Sequence, residues 1–486
     1  MISFTIALVA LVVGYLLYGK YVSKVFTINE DRQTPAIKNP DGIDYIPMPW
    51  WKLFLIQFLN IAGLGPIFGA VMGVMYGPSA FLWIVFGTIF AGAVHDFISG
   101  MISIRQNGAS LTEIVGSQLG KGVKNVLLVF SILLLILVGA VFVSGPADLL
   151  HGLMSMVSKT WWIVIVFAYY ICATLLPIDK IIGKIYPVFG FVLLFMAVGI
   201  LGAIFWNKAP IPELWNGLGD MHHQGFPIFP MMFVSIACGA ISGFHATQSP
   251  LVARCIKNEK YGRRVFYGAM VVEGIVALIW AAAASSFYGG INELQTYADS
   301  LPKTANVAAR VVNDISHGWL GTFGGFIAIL GVIAAPITSG DTALRSARLI
   351  VADFTKLNQK PIKNRLIISL PIFAVTFVLL LINFDILWRY FAWSNQTLSV
   401  FTLWACTVYL YKQKKNYFIT LLPAMFMTSV SAAYLLYSKD CAINMSYWAS
   451  IIISIVVSFA FLGIFIYTNH KRGKDFINSD GDLIKE

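Results

Sequence analysis

The stretch Leu59-Asn60-Ile61-Ala62-Gly63-Leu64-Gly65-Pro66-Ile67-Phe68-Gly69-Ala70-Val71-Met72-Gly73 lies inside an apolar run from Trp51 to Tyr76. A run of that length crosses a bilayer as a helix. Gly63, Gly65 and Pro66 fall near its centre. Proline lacks an N–H and its ring clashes with the preceding turn, so the helix is expected to kink or break there. A break at that depth frees backbone groups that lipid cannot satisfy, and it is tolerated only where it is buried in protein or lines a cavity. Two readings follow. One is a packing kink, since glycine and proline are common in membrane helices. The other is half of a transporter's binding site.

Composition supports a membrane setting. The 486 residues are 58% hydrophobic and only 12% charged, with a mean hydropathy of +0.76. A soluble domain carries about 25% charged residues. The net charge of +11 sits in short loops between apolar runs and does not interleave with aromatics, so nucleic acid is not an expected partner; the bilayer is. Cys172, Cys238, Cys255, Cys406 and Cys441 show no paired spacing, which argues against a disulfide framework or a zinc site. The first apolar run lacks a basic segment before it and reads as a retained span.

About thirteen apolar spans are expected. With the N-terminus outside, their loops leave only Lys159, Lys208, Lys303, Arg310, Arg389 and Lys439 on the outer side, and the other 28 of 34 basic residues inside. That bias is the positive-inside pattern and predicts a cytoplasmic C-terminus. The outer loop from Tyr288 to Leu320 is expected to carry a short surface helix, and His222-His223 to be surface. The tail from His470 is expected to be unstructured.

The span 228–249 is interrupted like the first, at Cys238-Gly239-Ala240-Ile241-Ser242-Gly243-Phe244-His245-Ala246-Thr247-Gln248-Ser249-Pro250. It is the seventh span and the first broken one is the second, so the two enter the membrane from opposite sides. The expected architecture is all-α and polytopic. Residues 1–50 form a first span and linker, 51–206 and 207–411 form two five-span units of inverted topology, 412–468 add two spans, and 469–486 form the tail. In such folds the substrate lies between the two breaks. Half-helix N-termini suit a carboxylate.

Ionisable residues inside the membrane suggest function by default. Asp96 near the inner end of the third span and Glu273 in the eighth are candidates for ion coupling, and an unpaired Glu273 would be protonated. His245, Thr247 and Gln248 lie in or just after the second break, where an imidazole can meet a substrate carboxylate or carry a proton. The ninth span ends in Ala334-Ala335-Pro336-Ile337-Thr338-Ser339-Gly340-Asp341-Thr342. Thr338, Ser339 and Asp341 offer oxygens for a cation or a proton relay, while Asp341 alone reads as an N-cap for a helix through Arg345 and Arg348. Asn395 and Gln396 open the eleventh span with amides that face either the cavity or a neighbouring helix.

These motifs together resemble the carbon starvation protein A (CstA) family of bacterial inner-membrane transporters. The resemblance runs from about Lys38 to Tyr411. It rests on Asn39-Pro40-Asp41-Gly42-Ile43-Asp44-Tyr45, Ile61-Ala62-Gly63-Leu64-Gly65-Pro66, Ala91-Gly92-Ala93-Val94-His95-Asp96-Phe97, Arg105-Gln106-Asn107-Gly108-Ala109-Ser110, Ser242-Gly243-Phe244-His245-Ala246, Thr338-Ser339-Gly340-Asp341-Thr342 through Arg348, and Asn395-Gln396. His95 departs from the pattern, where glutamine is expected, and is not counted among the coupling residues. The resemblance implies uptake of pyruvate with protons, or of peptides, under nutrient limitation, on a fold like that of the APC superfamily.

The expected function is ion-coupled import of a small carboxylate or peptide by alternating access. Gly63, Gly65, Pro66, His245, Thr247, Gln248 and Asn395 are the candidate substrate-binding residues. Asp96, Glu273, Thr338, Ser339 and Asp341 are the candidate coupling residues. No cofactor or metal is implied beyond the coupling ion, H⁺ or Na⁺, and no pattern specifies an oligomeric state. The chain lacks the Gly-x-x-x-x-Gly-Lys-Ser/Thr phosphate loop of an ATP-driven motor and the His-Glu-x-x-His spacing of a metalloprotease. A channel or a nutrient sensor for the same solutes is the alternative.

Overall fold

The computed structural model describes residues 1–42, 44–175, 178–303, 305–359, 361–439, 443–471, 475–477 and 483–485. Cys441 and Lys360 lie outside them. Helices dominate. Among the described residues nine are long and apolar enough to span a membrane, or ten if Trp50–Ile61 and Gly65–Tyr76, bent by 56°, count as one span. Three further segments expected as spans do not meet this measure. Lys159–Leu175 is a helix of only 17 residues. The stretch from Ile228 to Ala253 is divided into short pieces. Phe384–Lys412 carries Arg389, Ser394, Asn395 and Gln396 along its length.

Outward-facing residues such as Ile6, Val9, Val129, Leu133, Phe191, Phe195, Val198, Val456 and Phe459 are large, apolar and exposed. Patches of that kind are rare on soluble monomers and mark a lipid-facing surface. The protein is a multi-pass membrane protein. Inside this belt, helix Lys121–Leu153 packs on Val307–Thr355, which also packs on Ile178–Trp206. Helix Ser79–Arg105 lies against Gly243–Ala253.

Three expectations change. The ninth span does not end at Pro336: Val307–Thr355 runs on through it for 49 residues, bent instead at Gly321, where φ is +66°. Asp341 is therefore mid-helix and is not an N-cap. The short helix expected between Tyr288 and Leu320 is found, as Ile291–Ser300. The tail contains a short antiparallel pair, Asp475–Ile477 with Leu483–Lys485, where no structure was expected.

Candidate functional site

The two interruptions meet. Helix Trp50–Ile61 stops at Ala62, whose ψ of +48° is not helical, and the chain resumes as a π-turn over Gly65–Gly69. Helix Ala237–Ala240 stops at Ile241 and Ser242, both extended, and resumes as Gly243–Ala253. Gly65 faces Cys238 so closely that a Cβ at position 65 would lie 2.0 Å from the Cys238 Cβ. Only glycine permits that crossing.

Asn395, from helix Phe384–Lys412, holds the second break. Its Oδ1 accepts from the Phe244 N–H at 2.7 Å and from the Ser242 hydroxyl at 3.0 Å, and its Nδ2 donates to Cys238 Sγ at 3.2 Å. The Phe244 N–H is one of the donors that a helix start leaves without an intrahelical partner. A side chain of another helix thus supplies the cap, and the Asn395 amide is committed to the break. Thr247 Oγ1 donates to the Phe244 carbonyl at 2.7 Å and accepts from Gln248 Nε2 at 2.8 Å.

Beside this break lies a continuous line of ionisable groups. Asp96 Oδ1 is 2.7 Å from His95 Nδ1, and Asp96 Oδ2 is 2.9 Å from His245 Nδ1. On the far edge of the same imidazole, His245 Nε2 lies 3.5 Å from Glu273 Oε2. All four side chains are fully buried. Asp96 thus receives two imidazoles, and His245 bridges two carboxyl groups. The sequence sets Asp96, His245 and Glu273 in three separate spans; packing joins them and adds His95. The Glu273 oxygens and the Nε2 atoms of His95 and His245 have no hydrogen-bond partner among the described residues.

Asp341 belongs to a different neighbourhood. Tyr186 donates its hydroxyl to Asp341 Oδ2 at 2.8 Å and to the Thr338 carbonyl at 3.1 Å. Thr338 Oγ1 turns back onto the Ala334 and Ala335 carbonyls of its own helix. Ser339 Oγ donates to the Leu59 carbonyl at 3.0 Å, which ties this helix to the last turn before the first break. A Cβ at Gly63 would lie 3.4 Å from the same hydroxyl and 2.6 Å from Phe142.

Beside the crossing opens a cavity of about 270 Å³. Phe68 and Ser235 contribute from the two broken segments, Trp388 and Arg389 from Phe384–Lys412, and His222 and His223 from the loop before Ile228. His223 is exposed, as expected, while His222 is half-buried. His222 packs on Tyr76 with ring centroids 4.6 Å apart, and His223 Nδ1 meets Asp299 Oδ2 at 3.1 Å. Sequence reading also passed over Gln57 and Asn60, which are fully buried on helix Trp50–Ile61 with no side-chain partner among the described residues. Their spacing of three places them on one helical face, which was a usable signal. Tyr186 carried none.

Comparison with known proteins shows the family of the chain. One uncharacterized membrane protein of Haemophilus influenzae is 44% identical over 346 residues, covering 61% of this chain and 93% of that protein. The peptide transporter CstA of Bacillus subtilis is 26% identical and covers 87% of this chain and 88% of its own length. The pyruvate/proton symporter BtsT of Escherichia coli is 30% identical, over 57% of this chain and 48% of that one. Among solved structures, a manganese transporter of Eremococcus coleocola superposes with a TM-score of 0.55 at 13% identity, covering 88% of this chain and 98% of that one, which is a likeness of fold. The relatives with a named activity are transporters, not enzymes. The family described as carbon starvation protein CstA matches residues 1–153, 147–322 and 296–433, and the chain belongs to that family.

Proposed function

We propose that the protein is a secondary transporter that imports a small carboxylate, pyruvate or a peptide, by alternating access coupled to protons. The buried line His95–Asp96–His245–Glu273 beside the second break carries this reading. When the Asp96 carboxylate accepts from both Nδ1–H groups, each imidazole keeps Nε2 as an acceptor. A proton on Glu273 then faces His245 Nε2, and a shift between them moves charge without moving the backbone. A substrate carboxylate at the crossing of the breaks would favour the imidazolium form, which links solute to proton. The cavity beside the crossing is the entry, and Gly63, Gly65 and Pro66 shape the first wall of the site.

This reading takes the fold as two inverted five-span units in a bacterial inner membrane, with the N-terminus outside. A sodium-coupled version is favoured by one observation, the Ser339 hydroxyl 3.0 Å from the Leu59 carbonyl, where oxygens gather at a break. Counterflow of labelled pyruvate and of dipeptides in proteoliposomes, under separate proton and sodium gradients, decides between them. Saturable uptake driven by the proton gradient is expected. Ion conductance far above carrier turnover, or uptake indifferent to both gradients, overturns the proposal.

A further inference from the structure

A second concentration of charge lies away from the breaks, at the membrane face where helix Tyr18–Phe26 ends. Glu259 is fully buried there. Arg105 grips its carboxylate as a fork, Nε to Oε1 at 3.1 Å and Nη2 to Oε2 at 3.0 Å, and also donates to the Thr27 carbonyl at 2.7 Å. Arg32 Nε stands 3.7 Å from Glu259 Oε1. Lys415 donates to the Phe26 carbonyl, and its ammonium lies 5.2 Å from the centre of the Phe26 ring, over which Arg105 also stacks at 4.2 Å.

Arg105 and Arg32 thus meet one buried carboxylate, and Lys415 stands beside Arg105 over the Phe26 ring. With Gln413 they line an open cavity of about 540 Å³. Glu30 and Asp31, both exposed, also line it, and Glu30 is engaged by Lys260 at 3.2 Å. Burial, and then the charge of Arg105, push the Lys415 ammonium down to about 8. An anion in the cavity would relieve that repulsion.

We propose that this cavity is an oxyanion site in which Arg32 and Lys415, with Arg105 behind them on Glu259, take a phosphate-type group, either the headgroup of an anionic phospholipid or a free phosphate-bearing solute. Guanidinium forks match phosphate oxygens, and an ammonium adds a point charge. Basic pockets between helices at a membrane face are suited to lipid headgroups. The location gives occupancy a consequence. Arg105 ends the helix that carries Asp96, Glu259 lies between the helices of His245 and Glu273, and Lys415 follows the helix of Asn395. A bound anion would clamp the ends of the elements that surround the buried histidines.

The test uses the full chain in an uncharged detergent. Its thermal unfolding is followed against inorganic phosphate, short-chain phosphatidylglycerol and, as a control, short-chain phosphatidylcholine. Saturable stabilisation by phosphate or by phosphatidylglycerol, but not by phosphatidylcholine, is expected. Phosphate alone sufficing identifies a solute; a requirement for phosphatidylglycerol identifies a lipid. Lys415→Gln should weaken the apparent affinity about tenfold, the loss of one charge-assisted hydrogen bond, and Lys415→Arg should retain it. Lys260→Gln, at the border, should leave it unchanged. In the unmodified protein the bound anion should also protect Lys415 from an amine-acylating reagent. Stabilisation by neither anion, or equal losses in Lys415→Gln and Lys260→Gln, overturns the proposal, and acylation unaffected by a saturating anion does so without any variant.

Discussion

The first interruption is held by packing and the second by hydrogen bonds. At Ala62 to Leu64 the shape comes from glycines with no room for a Cβ, and the nearest polar link is the single Ser339 hydroxyl on the Leu59 carbonyl. At Ile241 and Ser242 the Asn395 amide makes three bonds, and the line of ionisable groups begins one turn later at His245. Packing of the first kind has few alternative arrangements, because interiors are dense and bistable rather than soft. Hydrogen bonds and protons can be exchanged one at a time. The difference assigns shape to the first break and switching to the second, and substitutions at each should fail in different ways.

The largest effect is expected at the crossing itself. Gly65→Ala places a methyl 2.0 Å from the Cys238 Cβ, so the two segments must separate. Overpacking of a dense core costs about 1–3 kcal/mol, and this contact lies at the severe end. Uptake should be abolished and the thermal midpoint lowered. Adding Cys238→Gly removes the opposing atom and should restore part of both. Normal uptake and stability in Gly65→Ala would show that the breaks do not need to touch.

Next comes the second break's charge. Asp96→Asn keeps the shape but weakens two contacts to imidazoles, and hydrogen bonds to charged groups are worth about 1.5–3 kcal/mol each. Proton-driven uptake should fall by more than about tenfold while counterflow, which needs no net proton movement, is retained. Equal losses in both assays would make the buried line a structural brace. Asn395→Ala should act more mildly, leaving the Phe244 N–H and Ser242 hydroxyl unpaired at about 1–3 kcal/mol in stability. Asn395→Asp keeps the acceptor and should lose less. Thermal unfolding of the two variants side by side checks this.

Proline and glycine in an apolar run made both breaks legible in the sequence, because their effect is local and depends on no neighbour. The membrane class was legible for the same reason: hydropathy sums over a segment. What was not legible was convergence. Asp96 was set only with its neighbour His95, His245 and Glu273 looked isolated, and His95 was kept out of the coupling residues on a pattern of relatives. The register between helices Ser79–Arg105, Gly243–Ala253 and Gly268–Phe287, which no single segment encodes, brings the four together. Asp341 shows the opposite failure. A cap was inferred from Gly340 beside it, yet tertiary packing carries the helix straight through Pro336 and hands the carboxylate to Tyr186.

The smallest effect belongs to the loop around His222, which touches Tyr76 at the end of the first broken helix and Phe226 just before the second. His222 packs on Tyr76 and, at 5.1 Å, on Phe226, and the Met221 N–H donates to the Tyr76 carbonyl at 3.3 Å. Burial holds the His222 imidazole below its ordinary 6.5, against Asp220, which pulls it up; His223 lowers it further and Asp299 raises it. An opened loop returns the ring to that ordinary value and so binds more protons than the packed loop does. The packing contribution is therefore complete above about pH 6.5 and is lost as the pH falls toward the packed-state value. The protection factor of the Met221 amide in hydrogen exchange should drop a few-fold on acidification. In His222→Phe, which keeps the ring and removes its titration, the drop should largely disappear. Protection that stays level with pH in the unmodified protein would separate this loop from the two breaks, and leave the mouth of the cavity beside the crossing governed by the broken helices alone.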